Sequence, residues 1–492
     1  MSFPRGTTNI LSADIGVSLN DHRIFVSGQK LASGTSTSGA LQTNIITEKQ
    51  VNTLFGRKSH IAKKIRTYFK SHAISRRKPQ IDAIALDDNG TTKATGTFTF
   101  GGTATENEVV DFYIDSTYNG KYSVSIVSGD TADVVGGKLE TLVNANLNAN
   151  YTASNTNGVV TITAENAGTN GNTIRLGFDG EVAGVTIAKS GESLVGGATD
   201  PILTSLFDPI DSIQYKTIDY PSTWDLDVLK TFTESRFNVV NDILYGQGFS
   251  FRVDTYANLD TLLDGLNAKT LSIGCGKING GIFESPDVIN SAFCAYRGLL
   301  FTEGSNVSAI NSGNGQSVGG IRWASIPYFN MLFDILPVIK EGGDFSTEEK
   351  QELEKSGGWT FQNNKANTNI LSRELRTTYK TNDLGDPDPT FTYLNRVDSL
   401  TIASEYIFNG IKQTFPRHTW TSATQEPSGG KAYVTQGLFI ATLGEFYDFL
   451  VSVGIFEGGH KAEYLEYAQD NISFDKINGK VTDDVIAPIT SQ

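Results

Sequence analysis

Only two cysteines stand in 492 residues. A small scaffold stapled by disulfides is therefore excluded, and Cys275 and Cys294 read as reduced core thiols of a protein made in a cytoplasm. Prolines are also few, 13 against 50 glycines, a balance that suits many turns rather than a proline-rich linker or a collagen-like repeat. The five histidines, His22, His60, His72, His418 and His460, are scattered, and no two have helical metal-ligand spacing. His418, in Pro416-Arg-His-Thr, reads as structural rather than catalytic. The two cysteines lie 19 positions apart with no CxxC, which speaks against zinc. Gly274-Cys-Gly-Lys277 runs on into Ile278 and has Leu271 where a phosphate loop needs its leading glycine. The stretch from Gly313 to Gly320 lacks the Lys-Ser/Thr pair that holds phosphate and magnesium. Asp386 and Asp388 sit in a proline-punctuated turn without a partner, and there is no GxSxG elbow. An enzyme reading has no residues to rest on, and no metal or cofactor is expected.

Long apolar runs are missing too. Gly437 to Phe456 comes nearest, but Thr442, Glu445, Asp448 and Ser452 recur at helical spacing and make a polar stripe. That pattern predicts a half-buried helix, not a membrane span. The opening Met-Ser-Phe-Pro-Arg-Gly-Thr-Thr has no apolar region, so no Sec-type signal peptide is expected. A formal charge of −14 argues against a general binder of nucleic acid or anionic membrane.

Aromatic residues are plentiful, with 28 Phe, 18 Tyr and 4 Trp, and this rules out disorder throughout. The length suggests roughly three domains. Charge is unevenly spread. Val51 to Gln80 holds nine Lys and Arg and no acid, whereas Gly101 to Asp200 holds twelve acids against four bases. Two surfaces of opposite sign suit a protein that contacts copies of itself.

Residues 1–22 are polar apart from the alternating Ile15, Val17 and Leu19, a short strand that must pair with something else. Arg23 to Leu31 and Ile81 to Leu86 read as core strands. Between them, Ser59 to Ser71 reads as a helix with Ile61, Ile65, Tyr68 and Phe69 on one face and Lys63, Lys64, Arg66 and Lys70 away from it. This basic face either docks on phosphate or an acidic partner, or is simply solvated. At Asn89-Gly90 the texture turns to Gly, Thr, Asn, Ser and Val up to about Gly197. Strand runs at Ala94–Phe100, Val109–Ile114, Val159–Thr163 and Thr173–Phe178 are interrupted by one helix near Thr131–Leu147. The block reads as a β-rich insert, because alternating strands and helices resume after Asp200. Ser212–Thr217, Phe249–Val253 and Thr270–Ile273 are the expected strands there, and Leu226–Leu244 and Leu259–Leu266 the helices. Ser346-Thr-Glu-Glu349 is a capping box. A hairpin is expected around Trp359–Phe361 and Ile370–Tyr379, and helices near Arg396–Gln413 and Ala441–Val453. A polar tail follows, with Val481, Val485 and Ile489 in strand parity. Two extended arms suggest strand addition between neighbours.

Several ordered motifs carry a resemblance from about Arg23 to Asp475. They are Ile24-Phe-Val-Ser-Gly-Gln-Lys-Leu-Ala-Ser-Gly, Gln50-Val-Asn-Thr-Leu-Phe-Gly-Arg57, Ala94-Thr-Gly-Thr-Phe-Thr-Phe-Gly-Gly and Thr163-Ala-Glu-Asn-Ala-Gly-Thr-Asn-Gly-Asn172. Leu244-Tyr-Gly-Gln-Gly-Phe249, Arg376-Thr-Thr-Tyr-Lys380 and Phe415-Pro-Arg-His418 follow in order. Together they resemble the contractile tail sheath proteins of Mu-like bacteriophages. The helix from Ser59 to Ser71 departs from the Ala-rich helix usual in that family, and the arm after Phe474 is short.

The resemblance implies an α+β multidomain protein. Its parts would be an N-terminal strand-exchange arm (1–22), a discontinuous α/β core (23–90 and 201–345) and an inserted outer β-rich domain (91–200). A C-terminal inner α+β domain (346–471) would face the tail tube, and a second arm would occupy 472–492. It implies a structural subunit without cofactor, stacked as hexameric rings around the tube and contracting to drive it through the host envelope. Its partners would be itself, the tube protein, and baseplate and tail terminator proteins, with no direct contact to nucleic acid or membrane. It would belong to the virion and be assembled in the host cytoplasm. Inter-subunit strands would use Ile15, Val17, Leu19, Val481, Val485 and Ile489. Tube contact would use Glu445, Asp448, His460 and Lys461, against the plainer reading of a solvated helix, and Lys63, Lys64, Arg66 and Lys70 would make electrostatic contacts between subunits. The competing readings are the sheath of a tailocin or injection particle, a tube or baseplate component, a β-rich adhesin and an enzyme. Length argues against a tube protein, and the α/β patterning around the insert against an adhesin.

Overall fold

The computed structural model describes residues 21–72, 79–237, 244–278, 284–302, 332–333, 344–363, 369–371, 375–420, 433–471, 473–475 and 480–482. The chain divides into two compact units, one of His22–Gly320 with Pro327–Leu394 and one that includes Asn395–Gln492. It is a mixed α/β protein, with several sheets and ten α-helices among the described residues.

In the first unit, Arg23–Gln29 and Gln80–Leu86 pair in parallel over their whole length, from Arg23 opposite Gln80 to Gln29 opposite Leu86. They sit in a seven-stranded sheet of order Gly358–Trp359, Leu271–Lys277, Gln247–Asp254, Thr217–Asp219, Arg23–Gln29, Gln80–Leu86, Leu41–Gln42. All pairs are parallel except the last, at the two-residue edge. Parallel strands require crossovers, and their helices cover both faces. On one face, helices Leu226–Ser235, Tyr256–Leu266 and Thr347–Lys355 bring Leu229, Leu263 and Leu353 into a buried cluster with Phe25, Ile218 and Ile273. Helices His60–Ser71 and Pro286–Thr302 pack together and against the central strands. Their approach is close. A Cβ on Gly28 would lie 2.9 Å from Ile61 Cβ and 3.2 Å from Ile61 Cα, so this position needs glycine, and one on Gly298 would displace the end of the Ile24 side chain, 2.5 Å away.

Between Gln80–Leu86 and Thr217–Asp219 the chain makes two further antiparallel sheets. One has the order Val185–Lys189, Lys93–Gly102, Val159–Ala167, Tyr151–Thr156. The other has the order Ser116–Ile126, Glu108–Ile114, Leu176–Asp179. Ala94, Gly96, Phe98 and Phe100 point inward and the alternate residues outward. Phe98, Phe112, Ile162 and Leu176 share a core with Val135, Leu139 and Val143 of helix Ala132–Ala145.

The second unit contains helix Gln436–Ser452 and helix Lys461–Asn471, with most of helix Leu394–Thr414. Tyr406 stacks on Phe449 at 4.4 Å, and Tyr447 lies 5.3 Å from Tyr464. A two-stranded hairpin, Ser473–Asp475 with Lys480–Thr482, follows. Among the described residues no helix is long and apolar enough to cross a membrane.

Several elements differ from expectation. The strand expected at Ser212–Thr217 lies at Thr217–Asp219, after a 3-10 turn at Asp208–Ile210. The helix expected to reach Leu244 ends at Ser235. Gly358–Trp359, expected in the C-terminal domain, pairs with Leu271–Lys277 inside the core sheet. Helices Pro286–Thr302 and Lys461–Asn471 were not expected at all. The capping box at Ser346 is complete in both directions.

Candidate assembly surfaces

The basic helix starts where Ser59 Oγ accepts the Ala62 N–H at 3.2 Å. Its polar residues divide into two sets. Lys64 points inward and is fully enclosed. Its ammonium lies 3.0 Å from Asp219 Oδ1 and donates to Ser27 O at 3.0 Å. Lys64 is therefore not the surface cation expected, because it turns with Ile61, Ile65 and Tyr68 toward the sheet. Asp219 also accepts from Asn290 Nδ2 at 2.6 Å, Ser291 Oγ at 2.6 Å and Tyr68 Oη at 3.0 Å. Beside it, His60 Nε2 lies 3.0 Å from Asp287 Oδ2, and Ser222 donates its N–H and hydroxyl to the same carboxylate. Burial alone would raise the Asp287 carboxyl, but the His60 ring, Lys64 and the Ser222 N–H outweigh it and hold Asp287 well below the usual carboxylate range.

Lys63 and two cations just before the helix meet the insert. Lys63 pairs with Asp115, Lys58 lies 3.4 Å from Glu165, and Arg57 Nε donates to Asn148 Oδ1 at 2.9 Å. Part of the uneven charge seen in the sequence is thus used inside one chain, where the basic helix receives the acidic insert. Arg66 donates to Glu48, to Asn52 Oδ1 at 2.7 Å and to Arg57 O at 2.6 Å. Lys70 is exposed at the end of the helix. Lys63, Arg66 and Lys70 form one wall of a cleft of about 270 Å³, and Asn146, Asn148 and Asn150 of the insert line it opposite. Asp115 and Glu284 also line the cleft. Burial pushes the Glu284 carboxyl up to about 7, the Asp115 charge adds to the rise, and Lys63 and the Ser116 hydroxyl oppose it.

A carboxyl raised in the fold contributes most below its ordinary value of 4.5 and loses that contribution as pH climbs through about 7. Glu284→Gln is therefore expected to be near neutral at pH 5 and to stabilise by up to about 3 kcal/mol at pH 8. Urea midpoints of both proteins across this range would check it, and parallel pH profiles would disprove it.

The motif Thr163 to Asn172 ties the insert to the core at the sheet's switch point. Strand order reverses between Arg23–Gln29 and Thr217–Asp219, and the crevice past the carboxyl ends of such strands is where α/β folds place ligands. Here the insert occupies that neighbourhood. Asn170 Nδ2 donates to Gln29 Oε1 at 2.7 Å, and Thr223 Oγ1 donates to Asn170 Oδ1 at 2.5 Å. Gln29 Nε2 donates to Ala167 O at 2.8 Å. Asn166 accepts the His60 N–H at 2.9 Å and donates to Lys30 O and Asp88 Oδ1 at 3.0 and 2.9 Å. Nothing in the motif's composition signalled this role. Asn166→Ala should strand these buried groups and cost about 3 kcal/mol. The expected sign is a lower urea midpoint with faster proteolysis near Asn89 and Thr199, and an unchanged midpoint would refute it.

In the second unit, Glu445 and Asp448 are exposed on helix Gln436–Ser452. Asp448 Oδ2 lies 2.5 Å from Lys461 Nζ, and His460 Nδ1 lies 2.9 Å from Glu463 Oε2, a bond and charge that raise the His460 pKa above its ordinary value. Of the four expected tube-facing residues, Asp448 and Lys461 meet, His460 pairs with Glu463 instead, and Glu445 is exposed. Thr442 does not join their stripe. It is buried and its hydroxyl donates to Leu438 O at 3.0 Å. Of the expected arm residues, Val481 pairs opposite Phe474 in the hairpin. Ile15, Val17, Leu19, Val485 and Ile489 lie outside the described residues. Both cysteines are buried, and burial pushes the Cys275 thiol up to about 12.

No protein-family model matches the chain. A solved sheath tail protein of Desulfitobacterium hafniense superposes with a TM-score of 0.46 at 11% identity, over 91% of this chain and 89% of that one. The Mu-like prophage FluMu tail sheath protein of Haemophilus influenzae is 25% identical over 442 residues, 89% of this chain and 84% of its own length. The chain is thus a homologue of a Mu-like prophage tail sheath protein.

Proposed function

We propose that this protein is the structural sheath subunit of a contractile phage tail. It polymerises as stacked hexameric rings around a tail tube, and contraction drives the tube through the host envelope. The observation that carries this reading is homology to a prophage tail sheath protein along 89% of the chain. Its partners are then other copies of itself, the tube protein, and the baseplate and terminator proteins at the two ends of the tail. The subunit is a component of the virion assembled in the host cytoplasm. Glu445, Asp448, His460 and Lys461 are its proposed tube contacts. Energy for contraction is stored at assembly as a difference between two packings of the same subunits, so no nucleotide is needed.

The test is negative-stain electron microscopy of the purified chain, alone and co-expressed with a candidate tube protein. Hollow striated cylinders sheathing the tube are expected. Monodisperse particles in the presence of tube would overturn the reading.

A further inference from the structure

The loop from Asn382 to Asp388 is held by its own hydrogen bonds and is exposed at its tip. Asn382 Oδ1 accepts the N–H groups of Leu384 and Asp386 at 3.0 and 2.9 Å, and Asn382 N donates to Asp386 O at 2.9 Å. Gly385 takes the positive φ of 85° that closes the turn. At the loop's base, Tyr379 Oη donates to Asp388 Oδ2 at 2.7 Å. The tip carries Leu384, which is 86% exposed, between the exposed acids Asp383 and Asp386. Holding a leucine this far into water stabilises nothing in the isolated chain. A fixed apolar tip in an acidic frame is the form of an interface anchor.

The cleft between the basic helix and the insert is its complement. Its cationic wall is Lys63, Arg66 and Lys70, and the nearly buried Ile114, Tyr151 and Val288 also line it. Its volume of about 270 Å³ equals roughly nine waters at about 30 Å³ each, room for one aliphatic side chain and a flanking carboxylate. The acids Asp383 and Asp386 that frame Leu384 are opposite in sign to that wall.

We propose that the loop Asn382–Asp388 of one copy docks in this cleft of a second copy. The inference rests on the self-assembly reading. The contact is head-to-tail, since the two surfaces differ, and such contacts build rings and helical stacks.

Cross-linking tests it, because Cys275 and Cys294 are buried and inert. Full-length Leu384→Cys and Asn148→Cys chains are mixed, assembled and mildly oxidised. A disulfide-linked dimer is expected in the mixture and not in either variant alone. In parallel, Asp383→Lys with Asp386→Lys should weaken self-association about tenfold or more, and adding Lys70→Glu with Asn148→Glu should recover most of it. Assembly that ignores both charge changes and yields no mixed dimer overturns the loop–cleft contact alone. A wild-type chain that stays monomeric, even with tube present, overturns the self-assembly reading and this contact together.

Discussion

Asp219→Ala is expected to bring the first unit close to unfolding at room temperature. Asp219 and Lys64 are both fully enclosed. Removing one partner of such a pair costs about 3–5 kcal/mol, because the other charge stays buried without its counter-ion. Asn290, Ser291 and Tyr68 would lose their acceptor as well, at about 1–3 kcal/mol for each group left unsatisfied. These losses approach the whole stability of an ordinary domain, about 5–15 kcal/mol. The double variant Lys64→Met with Asp219→Asn should recover most of the loss, since it removes the stranded charge and keeps an acceptor for the hydroxyls. Urea unfolding followed by circular dichroism, run as a double-mutant cycle, gives the coupling directly. If Asp219→Ala stays within about 1 kcal/mol of the wild type, the knot is not a main tie between helix and sheet.

That knot shows what the sequence could and could not disclose. The helix around Lys64 was legible from Ile61, Ile65 and Tyr68, but the periodicity that placed Lys64 outside treats every lysine as solvated. Its true position depends on Asp219, which is distant in sequence. Helix Pro286–Thr302 was missed for the opposite reason. It is buried along both faces, with Asn290, Ser291 and Arg297 enclosed beside Phe293 and Leu299, so it has no polar stripe to mark its period. Insert strands such as Lys93–Gly102 and Val159–Ala167 were legible because buried and more exposed residues alternate along them. The short parallel strand Thr217–Asp219 is buried at all three positions and shows no alternation. Among the surface sites, Glu445 and Asp448 could be placed from helical spacing alone. The contact of Asp448 with Lys461 could not, because it crosses to a helix whose polar sequence hid it.

Chains lacking residues 1–20, or everything after Ile477, are expected to fold and yet fail to form sheaths. The second truncation removes Lys480–Thr482, the outer half of a two-stranded hairpin that pairs only through Ser473–Asp475 among the described strands. An isolated two-stranded ribbon is marginally stable in water, so the compact units lose little with it. For assembly the account is different. An arm strand of four or five residues adds about 4–5 backbone hydrogen bonds to a neighbour's sheet, each worth about 1 kcal/mol net. One arm alone binds weakly. Two such arms on each subunit, tethered at high effective concentration, would make a lattice that stays connected while other contacts exchange. Removing either arm should therefore leave the thermal midpoint within a few degrees of the full chain and abolish cylinders around co-expressed tube. Ordered, contractile cylinders from either truncated chain would mean that the subunits are joined by surfaces of the folded units, and that strand exchange is dispensable.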